Sequence, residues 1–196
     1  ATSKASLAVT DVMSLRLIDR VKAKAETMGG DGTDELSMLP LDIEGEDHYV
    51  CLMHTFQADA LRKDTGSAQW IDIQKAAAAS EGRNNPLFKG GLGMYNNVIL
   101  HSHRNVIRFS DYGAGANIAA ARALFLGSQA AFVAYGDNES GTRMKWTEVQ
   151  KDHENSVAIG VAAIVGVKKA TYKSKDGSVT RDFGVVALDT ALVDPT

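Results

Sequence analysis

From Asp11 to Met28 the chain sets Met13, Leu17, Val21, Ala25 and Met28 three or four residues apart. That spacing gathers them into one apolar stripe on a helix. Arg16, Asp19, Arg20, Lys22 and Glu26 fall on the opposite face. Thr10 or Asp11 can cap the start, and Gly29-Gly30 can end it. Such a helix runs about 27 Å at 1.5 Å per residue. That is long for 196 residues, a length that makes one domain or two small lobes sharing a core. The helix is therefore expected to be a scaffold against which the rest packs.

The remainder reads mainly as short strands. Gly29 to Leu36 is a polar turn region and a lobe boundary. Ser37 to Ile43 and Tyr49 to Met53 flank Glu44-Gly45-Glu46-Asp47 and predict a hairpin. Pro40 makes the first of these an edge strand. Thr55 or Gln57 can start a short helix through Arg62. A second helix is predicted from Gln69 to Ala79, with Trp70, Ile73 and Ala77 on one face. Glu81 to Tyr95 is rich in Gly and contains Pro86, yet it carries Leu87, Phe88, Leu92, Met94 and Tyr95. Apolar groups on an ordered loop are expected to bury against something, and these five are the candidate subunit contacts. A strand follows at Val98 to His101, then a Gly-rich turn at Asp111 to Gly115. An Ala-rich helix is predicted from Ala116 to Leu126, and a strand from Gln129 to Tyr135. Asp137 to Thr142 is a polar loop. Val157 to Tyr172 is a long β-type run broken by Gly160 and Gly166. Lys175 to Ser178 turns the chain into a return strand, Phe183 to Leu188, giving a C-terminal antiparallel hairpin. Interleaved helices and antiparallel strands define an α+β chain.

A chain of this size buries roughly 70% of its unfolded surface and needs no disulfide or metal to fold. Its 44% hydrophobic and 23% charged content is that of an ordinary globular protein. No apolar run reaches the roughly 18 residues of a membrane span. The opening ATSKASLAVTD lacks an apolar leader core and an initiator Met, which reads as a mature, trimmed or truncated start. Cys51 is the single cysteine. Inside the apolar run YVCLM it reads as a small buried hydrophobe, since no thiolate-stabilising surroundings are visible. The net charge is −3 and the basic residues are scattered, so no nucleic-acid stripe stands out. The densest group, Lys168, Lys169, Lys173 and Lys175, is followed by Asp176 and reads as a solvated strand end.

Candidate chemistry is sparse. His101 and His103, two apart on a strand, share a face and could meet one metal in a hydrolase, with Asp111 or a distant histidine as third ligand. The same pair is also what an exposed strand end looks like. His48, His54 and His153 have no metal-ligand spacing. Gly113-Ala-Gly115-Ala-Asn117 ahead of the Ala-rich helix begins a dinucleotide fingerprint, making a nucleotide-binding module the second alternative. Ile118 replaces the third glycine, and no acidic residue lies about 20 residues on, so a tight turn and cap accounts for it equally well. Asp137, Asn138, Glu139 and Ser140 lack the donor spacing of a calcium loop. Asp152, His153 and Glu154 read as adjacent surface charges. Trp70 and Trp146 read as core or interface anchors.

Segments spread nearly end to end carry a family resemblance: LRLIDRVKAK from Leu15, HYVCLMH from His48, WIDIQK from Trp70, NPLF from Asn85, GLGMYNNVILH from Gly91, RALFLGSQ from Arg122 and FGVVALDT from Phe183. In their order and spacing the chain resembles the major capsid proteins of tailed bacteriophages, in the branch of the N-four-like podoviruses. The resemblance implies the Hong Kong-type capsid fold, with a long spine helix, a mixed sheet flanked by helices and a C-terminal antiparallel hairpin. It implies a peripheral-domain spine helix in residues 1–37, an axial domain in 38–145, and remaining sheet with the hairpin returning to the peripheral domain in 146–196. It further implies a structural protein rather than an enzyme, with no cofactor. Copies would assemble in the host cytoplasm into capsomers and the icosahedral virion shell around double-stranded DNA. Scaffolding and portal proteins would be further partners, contact with DNA would be non-specific, and no membrane would be involved. Members of the family are longer, with an N-terminal arm and an extended loop before the spine helix that this stretch lacks.

Overall fold

The computed structural model describes residues 3–30, 37–43, 45–64, 93–136, 143–173, 177 and 180–194. Its principal helix, α1, spans Leu15–Thr27. It begins four residues later than the apolar spacing predicts. The Asp11 carboxylate accepts from the Ala8 N–H at 2.9 Å and closes a turn there instead of capping a helix. Ser14, in extended conformation, is the N-cap residue. The buried stripe is Leu15, Ile18, Val21 and Ala25, with Met13 buried just ahead of it and Leu17 and Met28 packed at its margin. Gly29 ends the helix with φ at 79°, the left-handed conformation that glycine adopts without penalty.

Strands β1 (Leu41–Ile43) and β2 (Glu46–Met53) form the expected hairpin, Leu41 opposite His48 and Ile43 opposite Glu46. Helix α2 (Thr55–Lys63) follows at once. His54 Nδ1 accepts from the Phe56 N–H at 3.1 Å, while Gln57 Oε1 accepts from the His54 N–H at 2.8 Å. This reciprocal cap is built from the residue before the predicted start. Gln57 is fully buried, and its amide donates to the Ala121 carbonyl and to Thr190 Oγ1, pinning α2 to the sheet.

The central sheet adds β3 (Met94–Tyr95), β4 (Val98–Ser102), β5 (Arg108–Tyr112), β6 (Ile118–Leu126) and, after the intervening strands, β13 (Val185–Ala191). Its order is β13-β6-β2-β4-β3, with β1 also on β2 and β5 also on β6. The β2–β4 pair is parallel and the other pairs are antiparallel, so the sheet is mixed. The Ala-rich segment from Ala116 to Leu126 is thus a strand, not the predicted helix. Alanine favours helix only weakly over other residues. Here Ala121, Ala123 and Phe125 alternate into the core at zero or near-zero exposure, between β13 on one side and β2 and β5 on the other. Phe125 stacks on Tyr49 with ring centroids 5.2 Å apart, at the centre of the core shared with α1 and α2.

Four strands stand apart from this sheet: β7 (Ala131–Tyr135), β8 (Met144–Lys151), β9 (Ser156–Ala163) and β10 (Val165–Lys169). Then β11 (Thr171–Lys173) and β12 (Thr180–Asp182) form the C-terminal hairpin, Thr171 opposite Asp182. The predicted return strand from Phe183 to Leu188 is divided. Gly184 turns the chain with φ at 66°, close against the Ser128 carbonyl, where a side chain would not fit. Val185 onward joins β6 in the central sheet. The helix predicted from Gln69 to Ala79, the loop from Asp137 to Thr142 and most of the turn from Lys175 to Ser178 lie outside the described residues. Among the described residues no helix is long and apolar enough to cross a membrane.

Candidate assembly surface

The four outlying strands pair into two antiparallel ribbons. β8 and β9 pair along their full length, and β10 pairs with β7. β9 and β10 are separated only by Ile164, whose carbonyl accepts from the Gly136 N–H at 2.8 Å. From Ser156 to Lys169 this side of the ribbon extends about 46 Å at roughly 3.3 Å per residue. Its base is fixed to the body where the Ala130 carbonyl accepts from the Ala170 N–H at 3.0 Å. Both alanines are buried.

Every residue of β7, β8, β9 and β10 is exposed. The register separates their chemistry by face. On one face of the β8–β9 ribbon Met144 lies opposite Ala163, Trp146 opposite Val161, Glu148 opposite Ile159 and Gln150 opposite Val157. The other face carries Lys145, Thr147, Val149 and Lys151 opposite Ala162, Gly160, Ala158 and Ser156. One face is therefore apolar with a single charge, and the other is small, polar and basic. In the β7–β10 ribbon, Val133 lies opposite Val167 and Tyr135 opposite Val165, again on a shared face. Alternation of this kind belongs to strands with one buried face. Here that face is bare: Trp146 is 61% exposed, Ile159 61% and Val161 68%. A two-stranded ribbon is marginal in water by itself, and a contiguous apolar patch of this extent marks a contact surface. Trp146 is accordingly no core anchor, and Trp70 lies outside the described residues.

The residues singled out for chemistry do not converge. His101 lies in β4 and His103 just beyond it, both exposed, and His103 Nδ1 accepts from the Asn105 N–H at 3.2 Å. Asp111, the suggested third ligand, is instead ion-paired with Lys4, whose hydrogen bond holds its carboxyl below the usual range. Among the described residues no three His, Cys, Asp or Glu side chains are grouped to hold a metal. The turn at Gly113 to Asn117 joins two antiparallel strands, so the helix N-terminus that a phosphate would need is replaced by β6. Gly113 sits at φ 82° with Ile118 against it. Burial pushes the Cys51 thiol up to about 12.

One polar cluster was not anticipated. Arg122 donates from Nε and Nη2 to both oxygens of Asp189 at 2.7 and 2.8 Å, and the Tyr112 hydroxyl donates to the same carboxylate at 2.7 Å. The guanidinium holds the Asp189 carboxyl below its usual range, and burial with the nearby carboxylate raises the Tyr112 phenol. Each group satisfies the others, so the cluster clamps β5, β6 and β13 together. Of the candidate subunit contacts, Leu87, Phe88 and Leu92 lie outside the described residues. Met94 is 55% exposed, whereas the Tyr95 ring packs against the core and its hydroxyl donates to Asp19 at 2.9 Å.

A mixed sheet backed by few helices, together with the structural matches that follow, is the Hong Kong-type fold of phage capsid proteins. The structure is similar to the capsid of Ralstonia phage GP4, with a TM-score of 0.76 and 52% identity over all of this chain and 52% of that one. It is also similar to the Cyanophage Pam1 capsid asymmetric unit, with a TM-score of 0.73 and 20% identity over 96% of this chain and 49% of that one. A further likeness is to the acid-stable capsid of Helicobacter pylori bacteriophage KHP30, with a TM-score of 0.68 and 17% identity over 93% of this chain and 60% of that one. The family model described as phage capsid protein matches residues 1–194, and the chain belongs to that family. A relative from Pseudomonas phage KPP25, a major capsid protein, is 29% identical over 95% of this chain and 46% of its own length. The chain thus spans about half the length of these relatives.

Proposed function

We propose that this chain is a shell-building part of a phage major capsid protein and acts by repeated contacts with other copies of itself, catalysing nothing. The observation that carries this is the ribbon whose apolar residues stand uncovered along one face. Such a face is stable when a neighbouring subunit covers it, and symmetric repetition multiplies the contact into rings and shells. In this reading the copies form capsomers and the icosahedral shell of the virion, around double-stranded DNA touched without sequence preference. Assembly takes place in the host cytoplasm with scaffolding and portal proteins as partners. Residues 1–37 serve as the spine-helix part of a peripheral domain, 38–145 as the axial domain, and 146–196 return to the periphery. A second subunit contact is assigned to Leu87, Phe88, Leu92, Met94 and Tyr95; of the two that lie among the described residues, Met94 is the more exposed.

The test is electron microscopy of the purified chain and of its full-length parent across a range of salt and protein concentration. Rings, sheets or shells are expected. Particles that stay monomeric under every condition would refute the reading. A metal-dependent hydrolase at His101 and His103 predicts stoichiometric zinc lost on His103→Ala. A nucleotide module at Gly113 to Asn117 predicts a thermal shift with nucleotide, since a ligand at 100 times its Kd adds about 2.7 kcal/mol.

A further inference from the structure

We infer that the free edge of β13 accepts an extended acidic segment of a different polypeptide as an added strand. β13 is the last strand of the central sheet and has β6 as its only strand neighbour among the described residues. Its even-numbered backbone groups face β6: the Gly184 carbonyl accepts from Gly127, and the Leu192 N–H donates to the Ala119 carbonyl. The Ala191 N–H points the other way and donates to the Asp11 carbonyl at 2.9 Å. Strand alternation therefore turns the N–H and C=O of Ala187 and Asp189 outward as well. Among the described residues these groups meet no backbone partner. The chain near Asp11 covers the edge at Ala191, and among the described residues no backbone covers it at Ala187 and Asp189.

Beside that open edge lies a groove of about 520 Å3, between β13 and the first turns of α1. Four charged residues line it: Asp11, Arg16, Arg20 and Asp189. Both carboxylates are engaged, Asp11 by the Ala8 N–H and Asp189 by Arg122 and Tyr112. Arg16 and Arg20, one helical turn apart, make no ion pair among the described residues. Asp189 is neutralised by Arg122 and Asp11 keeps its charge, so with Arg16 and Arg20 the groove carries a net positive charge beside a strand edge unpaired among the described residues. α1 and Leu188 share one core cluster, so α1 flanks the face of β13 on which Leu188 lies. A strand added at the edge bonds to the backbone of Ala187 and Asp189 whatever its sequence, and its alternate side chains on the α1 side meet the two arginines. Carboxylates at every second position match that geometry, and arginine binds them bidentately.

The experiment measures anisotropy of fluorescein-labelled peptides TEVEVT and TKVKVT titrated with the full, unassembled chain, so that it does not depend on shell formation. Saturable binding of the acidic peptide, with the lysine peptide at least about tenfold weaker, is expected from the charge match. Ala187→Pro removes the outward N–H while leaving the bonds to β6, a substitution edge strands tolerate, and should abolish binding. Arg16→Glu with Arg20→Glu, on the exposed side of the helix, should reverse the preference between the peptides, and it tests the idea even if the proline variant does not fold. Equal binding of both peptides, binding of neither, or undiminished binding by a folded Ala187→Pro protein overturns the inference. Self-association lost in Ala187→Pro, with no peptide bound by the parent chain, would give the edge to a second copy and overturn it too.

Discussion

Replacing Ile159 and Val161 together by threonine should weaken self-association without unfolding the chain. Threonine keeps the β-branched shape that strands favour, so the ribbon is retained. Both residues lie on the apolar face of the β8–β9 ribbon, 61% and 68% exposed. Fully burying such a side chain is worth roughly 1.5–3 kcal/mol, and the exposed fractions leave about 1–2 kcal/mol each for a neighbour to gain. Threonine forfeits about half of that and adds a hydroxyl that costs roughly 1 kcal/mol where it finds no partner. The pair therefore costs about 3–4 kcal/mol per contact, or roughly 140- to 700-fold in affinity at 1.4 kcal/mol per decade. Sedimentation velocity over a dilution series reads this directly. Val149→Thr, on the opposite face and 52% exposed, is the matched control and should shift affinity by less than about threefold, because no partner covers it in this account. Unchanged association of the double variant, or an equal effect of Val149→Thr, would refute the assignment of the apolar face to subunit contact.

Acid should destabilise the fold in two separate windows. Burial and, second, the charge of Arg108 lower the His54 pKa below 6.5, so the unfolded chain takes up that proton first. Its contribution is intact above about pH 6.5 and is lost as pH falls below it. Melting temperatures between pH 8 and 5 should show this limb, and His54→Asn, which keeps a capping acceptor, should flatten it; an unaltered limb would assign it to another group. Asp189, held below its usual 3.8 by Arg122, keeps its contribution above about pH 4 and loses it on further acidification. Arg122→Lys removes the two-point contact and should cost about 1–2 kcal/mol, seen as a lower urea midpoint at constant slope. The buried Cys51 thiol should resist a thiol reagent in native protein and react fully in denaturant; prompt native reaction would contradict its burial.

The sequence was most informative where local chemistry and packing agree. α1 was visible because its apolar spacing and the glycine at its end both serve the folded state, although Leu15 and Ile18 replace Leu17 at the centre of the buried stripe. The first hairpin was visible because Gly45 supplies the turn its strands require. β6 departs from the predicted helix because its alanines answer to tertiary contacts: ladder pairing with β13, β2 and β5 and burial of Ala121, Ala123 and Phe125 outweigh their helical preference. The β8–β9 partnership was illegible for another reason. Its turn runs through Asp152, His153 and Glu154, all with positive φ and none a glycine, so the usual punctuation is missing. Those three residues read as ordinary surface charge, and the run from Val157 onward lost its partner. The Arg122–Asp189 clamp joins residues 67 apart in sequence, which no local pattern announces.

Cryo-electron microscopy of shells formed by the full-length parent tests the central claim most directly. The account predicts Met144, Trp146, Val157, Ile159 and Val161 covered by an adjacent subunit, with Lys145 and Lys151 on the uncovered face. A shell in which that apolar face still meets solvent would contradict it.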